Sequence, residues 1–296
     1  MKIILKFTFC VLVSIALQSY GQEKTSYLDG SWLKTLISIE VESKNDKGTN
    51  YIPQGTGFLL QSPLGHCALF TAKHVIYDEQ AKKVKENLVY RLNRKGKNSD
   101  PVSEAYVLSV AKTGWIWSDT VDIAARMMIW GDDNDIASIP LNSVLKVNPE
   151  AGANVYVMGF PLGLRMETYS APIVRQGIVS LVEPLLIDAF IFPGNSGGPV
   201  IYVPLIPLGK EFKTNVIQEN KLIGMVIGYL PFQDVAISQL TKQPRIIFQE
   251  NTGLCQIIPS KIILEFLNSA KFTEVDKNSY AGAKVPQDKK DSNPGK

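Results

Sequence analysis

The sequence predicts an all-β protein closed by one C-terminal helix. From about Ser31 to Pro259, short apolar runs alternate with turn residues: TLISIEV, GTGFLLQ, CALFTA, NLVYRL, AYVLSV, DIAARMMI, NVYVMGF, IVRQGIVSLV, VIYV, LIGMVIGYL and RIIF. Many are rich in Val, Ile, Tyr and Phe and are bounded by Gly, Pro, Asn or Asp, the pattern of many strands at short spacing. No long helical period interrupts them. The helix comes last. After Pro259, KIILEFLNSAKF puts Ile262, Ile263, Phe266 and Leu267 on one face, with Ser260 placed to cap it.

The ends read differently. Residues 1–22 combine Lys2 and Lys6, an apolar run from Phe7 to Leu17 and a small-residue end near Gly21. That is a signal-peptide pattern, and the run is shorter than the ~20 residues that span a bilayer. The expected destination is the periplasm or the medium, with no stable membrane insertion after cleavage. Cleavage would remove two lysines and no acid, leaving 29 basic against 28 acidic residues. A balance so close to neutral gives no reason to expect nucleic acid as a partner. Residues 269–296 are polar and are expected to form a disordered tail. The stretches 91–101 and 204–221 read as solvated hairpins rather than binding patches. Of the three cysteines, Cys10 lies in the leader, and Cys67 and Cys255 read as buried free thiols, though the sequence leaves a bridge open.

The chemistry centres on FPGNSGGPV, which places Ser196 among glycines and prolines between two apolar runs. A serine hydroxyl is a weak nucleophile without a positioned base. GNSGG also fits the G-x-S-x-G elbow of α/β-hydrolases, whose order is Ser, acid, His. Here the two histidines, His66 and His74, both precede Ser196, so the order His, Asp, Ser remains. His74, in TAKHVI, follows an apolar run and is free to face a cleft. His66 reads as a turn or strand-edge residue. Asp122, opening DIAARMMI, is expected to be a largely buried carboxylate that orients the imidazole; Asp119 is its nearest rival. Trp115 and Trp117 alternate as packing residues. The backbone N–H groups of Gly194 and Ser196 are candidate oxyanion donors. A metal site of His66, Cys67 and His74 fits no standard zinc spacing, and a strand would scatter the ligands, so neither metal nor cofactor is expected.

TAKHV, VDIA and DAFIFPGNSGGPV resemble the motifs around the catalytic residues of trypsin-like serine peptidases, nearest to the bacterial Deg/HtrA-type branch. GTGFLL, GFPLG, QGIVS, LIGMVIG and GLCQIIPS are similar to further strands of that branch, so the likeness covers about residues 31–268. It implies two six-stranded antiparallel β-barrels with the site between them, His74 as base, Asp122 as orienting acid and Ser196 as nucleophile. The segment from His74 to Asp122 is longer than that branch has, which suggests an extra hairpin, and the PDZ domain that often follows is not expected. Asn195 stands where digestive relatives carry an aspartate that pairs with a new N-terminus. Activity is therefore expected without an activating cut.

The resemblance also implies a specificity pocket bordered by Ile227, Gly228 and Tyr229, with Ala189 and Phe190 across from them. These residues carry no charge, and Asp188 is not read as a selector for basic residues. The expected substrates are polypeptides cleaved after small or medium aliphatic residues. The competing reading is a catalytically silent barrel that binds peptides or a protein partner.

Overall fold

The computed structural model describes residues 28–96, 98–166, 168–204 and 219–279. The expected signal peptide, residues 1–22, and most of the 204–221 stretch lie outside these residues. The first lobe comprises β1 (Leu36–Asn45), β2 (Gly48–Gln61), β3 (Cys67–Thr71), β6 (Leu88–Leu92), β7 (Asp100–Ser103), β8 (Ile116–Trp117) and β9 (Ala124–Met127). These pair antiparallel in the order β7-β6-β1-β2-β3-β9-β8. A small hairpin, β4 (Tyr77–Asp78) with β5 (Lys83–Val84), stands apart. The second lobe comprises β10 (Asn154–Gly159), β11 (Ile173–Leu181), β12 (Leu186–Asp188), β13 (Pro199–Tyr202), β14 (Lys221–Ile237) and β15 (Pro244–Pro259). It closes into a barrel in the order β10-β11-β12-β15-β14-β13.

The fold is all-β and trypsin-like, as expected, but only the second lobe is a closed six-stranded barrel. The first is a seven-stranded sheet with β7 and β8 at its edges. The long segment between His74 and Asp122 carries β7, which pairs beside β6, and the two-residue β8. The same segment corrects the reading of AYVLSV, which is not a strand. Residues Glu104–Ala111 form a helix, α2, which follows α1 (Lys73–Ile76) in the chain. Ser103 caps α2 by accepting the Tyr106 N–H at 3.3 Å, and the next residue, Glu104, reaches Arg126. Arg126 lies wholly buried in β9 and also donates to the Tyr90 hydroxyl and the Thr113 carbonyl. A buried guanidinium needs such partners, and they pin α2 to the sheet. The 91–101 stretch is also less solvated than expected. Arg91 and Asn93 are buried, and Arg91 pairs with buried Glu40.

The C-terminal helix forms as α3 (Ser260–Leu267), with Ile263, Phe266 and Leu267 buried. Ser260 does not cap it. Pro259 holds the cap position, and the Ser260 hydroxyl donates to the Leu145 carbonyl at 2.5 Å. Nor does the tail begin at 269. Ser269 caps a further helix, α4 (Ala270–Asn278), by accepting the Phe272 N–H at 3.2 Å. Phe272 packs against Phe70 and Phe266 with ring centroids 6.0 Å away in each case. One buried aromatic and the buried Asp276 anchor a segment whose polar composition concealed a helix. The rest of the expected tail, from 280, lies outside the described residues.

β14 and β15 run past the barrel as a two-stranded arm in which Phe232 to Ile237 face Pro244 to Glu250. Its apolar side chains, including Phe232, Ile237, Ile246, Ile247 and Phe248, are exposed. Cys67 and Cys255 are free and buried in the cores of different lobes, which rules out a bridge between them. Burial raises both thiols above their ordinary range.

Candidate active site

β3 delivers His74 to the junction of the two lobes. The strand ends at Thr71, Ala72 stays extended, and α1 follows as one short turn. Val75 and Ile76 are buried and hold that turn down, which leaves His74 facing outward with its side chain 46% exposed. Asp122 comes from the turn before β9, where the Ser118 hydroxyl accepts the Thr120 and Val121 N–H groups. The Asp122 carboxylate grips His74 twice: Oδ2 lies 2.6 Å from Nδ1, and Oδ1 accepts the His74 backbone N–H at 3.0 Å. Burial alone would raise the Asp122 pKa, but the hydrogen bonds and charge of His74 outweigh it and hold the carboxyl below its ordinary value. Asp122 is less buried than expected, with its side chain 32% exposed. Asp119 is exposed.

Lys85 supports the same turn from behind. Its ammonium donates to the His74 carbonyl at 3.2 Å and to Gln54 Oε1 at 2.9 Å, and burial lowers its pKa. His66 is remote from this chemistry. Its Nδ1 lies 2.9 Å from Asp276 Oδ1, so it serves to dock α4.

Ser196 lies on the loop between β12 and β13. The Pro193–Gly194 and Asn195–Ser196 peptide units are held by their carbonyls. Leu162 donates its N–H to the Pro193 oxygen at 2.6 Å, and Gly198 donates to the Asn195 oxygen at 2.8 Å. In a trans peptide the N–H points opposite to the C=O. The N–H groups of Gly194 and Ser196 are thereby turned away from these anchors, and neither donates a hydrogen bond among the described residues. Gly194 has φ +101°, where a side chain is strained. Leu162 itself takes φ +56° in the GFPLG turn to present its N–H. Asn195 points inward: its Oδ1 accepts the Phe192 N–H at 3.0 Å, which closes the loop on itself.

The Ser196 hydroxyl is not hydrogen-bonded to His74. It is turned toward the Ile227 carbonyl at 3.5 Å. Ile227, Gly228 and Tyr229 are half-buried, with Gly228 opposite Gln256 and Tyr229 opposite Cys255. Tyr229 packs on the second core, to which buried Ala189 belongs, and Ile227 packs on the first. Phe190 is exposed and lies beside Gly253. Among the described residues, no three His, Cys, Asp or Glu side chains are grouped to hold a metal, and no helix is long and apolar enough to cross a membrane.

Sequence reasoning missed Thr56, Leu162 and Lys85. Thr56 and Leu162 lie within the quoted motifs GTGFLL and GFPLG, but nothing in an apolar run marks one hydroxyl or one backbone N–H as a clamp. Lys85, in a polar stretch, carried no signal.

A two-lobed β-fold with a histidine turn in the first lobe and a glycine-framed serine loop in the second is a trypsin-like fold. Residues 55–202 match the trypsin-like peptidase domain, and the chain belongs to that family of serine peptidases. A solved structure of the HtrA-type protease AlgW with a tripeptide is similar at 15% identity, with a TM-score of 0.41. The similarity covers 79% of this chain and 59% of that one, less than two thirds of its length. No curated protein matches the chain.

Proposed function

We propose that this chain is an exported serine endopeptidase that works through His74, Asp122 and Ser196. The observation that carries the reading is the double grip of Asp122 on His74, combined with two unengaged N–H groups flanking Asn195. Ser196 Oγ attacks the scissile carbonyl while its proton passes to His74 Nε2. Asp122 keeps Nδ1 protonated and stabilises the imidazolium. The Gly194 and Ser196 N–H groups receive the developing oxyanion. Protonated His74 then gives its proton to the leaving amine, and water hydrolyses the acyl-enzyme with His74 again as base.

Ser196 must leave the Ile227 carbonyl to reach His74. A substrate strand laid along Ile227 to Tyr229 supplies the means, since its own N–H competes for that carbonyl. The uncharged wall of Ile227, Gly228, Tyr229 and Ala189 suits small or medium aliphatic residues, and Tyr229 limits their size. The inward Asn195 amide supports activity without an activating cut. The peptidase unit then runs from about residue 31 through α4, behind a cleaved leader of residues 1–22.

One observation favours a second reading, a silent barrel that binds peptides: the Ser196 hydroxyl faces away from its base. Catalytic hydrogen bonds are often long before substrate binds, so the peptidase reading is kept. A fluorophosphonate probe separates the two. Labelling that disappears in Ser196→Ala supports the peptidase, and a wild type that neither labels nor digests a peptide library supports the binder.

A further inference from the structure

The serine loop belongs to the second lobe, yet its tightest side-chain restraint comes from the first. The Thr56 hydroxyl, in β2, donates to the Gly194 carbonyl at 2.6 Å. The same oxygen accepts the Phe160 N–H at 3.0 Å, which commits the hydroxyl proton to Gly194. The Thr56 backbone N–H donates to the Ser196 carbonyl at 2.9 Å, and the Thr56 carbonyl accepts the Thr71 hydroxyl at 2.7 Å. Thr56 and Thr71 are both fully buried.

Four consecutive peptide units, from Pro193 to Gly197, thus have their carbonyls held, by Leu162, Thr56, Gly198 and Thr56 again. Three of these restraints are backbone groups. The fourth is a side chain, and it acts on the glycine that carries a proposed oxyanion donor. The space is tight as well as bonded: a Cβ on Gly197 would lie 2.0 Å from the Thr56 carbonyl and 2.2 Å from the Thr71 hydroxyl. Thr71 also ends the strand that delivers His74.

We propose that Thr56 is a positioning residue that sets the Gly194 donor of the oxyanion hole and ties the serine loop to the strand carrying the base. The Gly194–Asn195 peptide lies between the two proposed donors and is otherwise held only by the Asn195 N–H, which donates to the Phe192 carbonyl at 3.0 Å. Without the hydroxyl this peptide can tilt about that one bond, and the donors before and after it tilt with it. Ground-state binding along Ile227 to Tyr229 does not involve this contact. Loss of the hydroxyl therefore acts on the transition state, and it leaves the buried Phe160 N–H and the half-buried Gly194 carbonyl without that partner. The inference rests on the peptidase reading above.

The test compares wild type with Thr56→Val, Thr56→Ala and Thr56→Ser. Readouts are kcat and KM on a peptide taken from the library digest, the rate of fluorophosphonate labelling, and affinity for a peptide aldehyde. Thr56→Val is expected to lower kcat and aldehyde affinity in parallel, by about 10- to 100-fold, with KM changed less than about threefold. Thr56→Ser is expected to restore both to within about threefold of wild type. Circular dichroism confirms folding, and Thr56→Ala carries the test if Thr56→Val does not fold. An active wild type whose folded Val or Ala variant keeps its kcat overturns the clamp alone, as does a KM-only effect. A wild type that neither labels nor cleaves overturns the peptidase reading, and the clamp with it.

Discussion

Asp122 holds His74 at two points, the imidazole Nδ1 at 2.6 Å and the backbone N–H at 3.0 Å, so ring and turn are fixed by one carboxylate. A bidentate hold of this kind sets the ring's tautomer and its direction together. The imidazole is thus oriented without help from Ser196, whose hydroxyl faces Ile227.

Asp122→Asn tests that hold. An amide can present its NH2 to Nδ1 and impose the wrong tautomer, so kcat is expected to fall by about 10⁴-fold with the fold retained. The pH dependence has a defined sign. The folded-state pKa of Asp122 is depressed, so its contribution to stability is present above the ordinary value of 3.8 and is lost as pH falls through the lower folded value. The stability gap between wild type and Asp122→Asn is therefore expected at pH 7 and should close below about pH 3.8, as read by denaturant titration at both pH values. A drop in activity at pH 5 to 6 belongs to another group.

Besides Phe272, one carboxylate docks the α4 helix. Asp276 accepts from the Ser62 hydroxyl at 2.8 Å and the Leu64 N–H at 3.4 Å, and lies 2.9 Å from His66 Nδ1. Asp276→Ala leaves these buried or half-buried groups without their partner and is expected to cost about 1–3 kcal/mol. Urea titration measures this, and hydrogen exchange in α4 should accelerate before exchange in β2 or β3. An unchanged α4 would mean that Phe272 suffices to hold the helix.

The proposed catalytic residues could be named from the sequence because chain order is itself chemical information. Two histidines, both before the serine, excluded one enzyme plan, and the glycines around Ser196 marked a loop that needs unusual backbone angles. The strands were legible through their apolar runs and turn residues. What escaped depended on partners far away in sequence. AYVLSV reads as a strand until Glu104 is seen to reach Arg126, and the α4 segment reads as tail until Phe272 meets Phe70. The open order of the first lobe could not be read in advance, because the pairing partners of β7 and β8 are not written in their own residues. Thr56 looks like one more residue of an apolar strand, and only contact with Gly194 distinguishes it.

The two thiols offer a check on the cores. Burial raises both Cys67 and Cys255, which keeps them as unreactive thiols. Iodoacetamide at pH 8 is expected to leave the native protein unmodified and to alkylate both cysteines in about 6 M guanidinium, read by mass spectrometry. Rapid modification of Cys255 in the native state would mean that β15 opens locally near Tyr229.

Among the described residues, the arm of β14 and β15 pairs only with itself beyond the barrel, and its residues are exposed on both faces. An isolated hairpin is marginal in water, so the arm borrows order from the barrel and returns little. Replacing Gln233–Gln249 with Asn-Gly joins the paired residues Phe232 and Glu250 through a tight turn. This change is expected to alter unfolding free energy by less than about 1 kcal/mol, because no buried side chain is removed. It should also raise solubility, since it deletes a free strand edge bearing Phe232's neighbours Val235, Ile246 and Phe248. Urea titration and sedimentation at several concentrations measure both effects. A loss of several kcal/mol, together with a fall in mass at high concentration, would mean that the arm is covered by a second copy in solution.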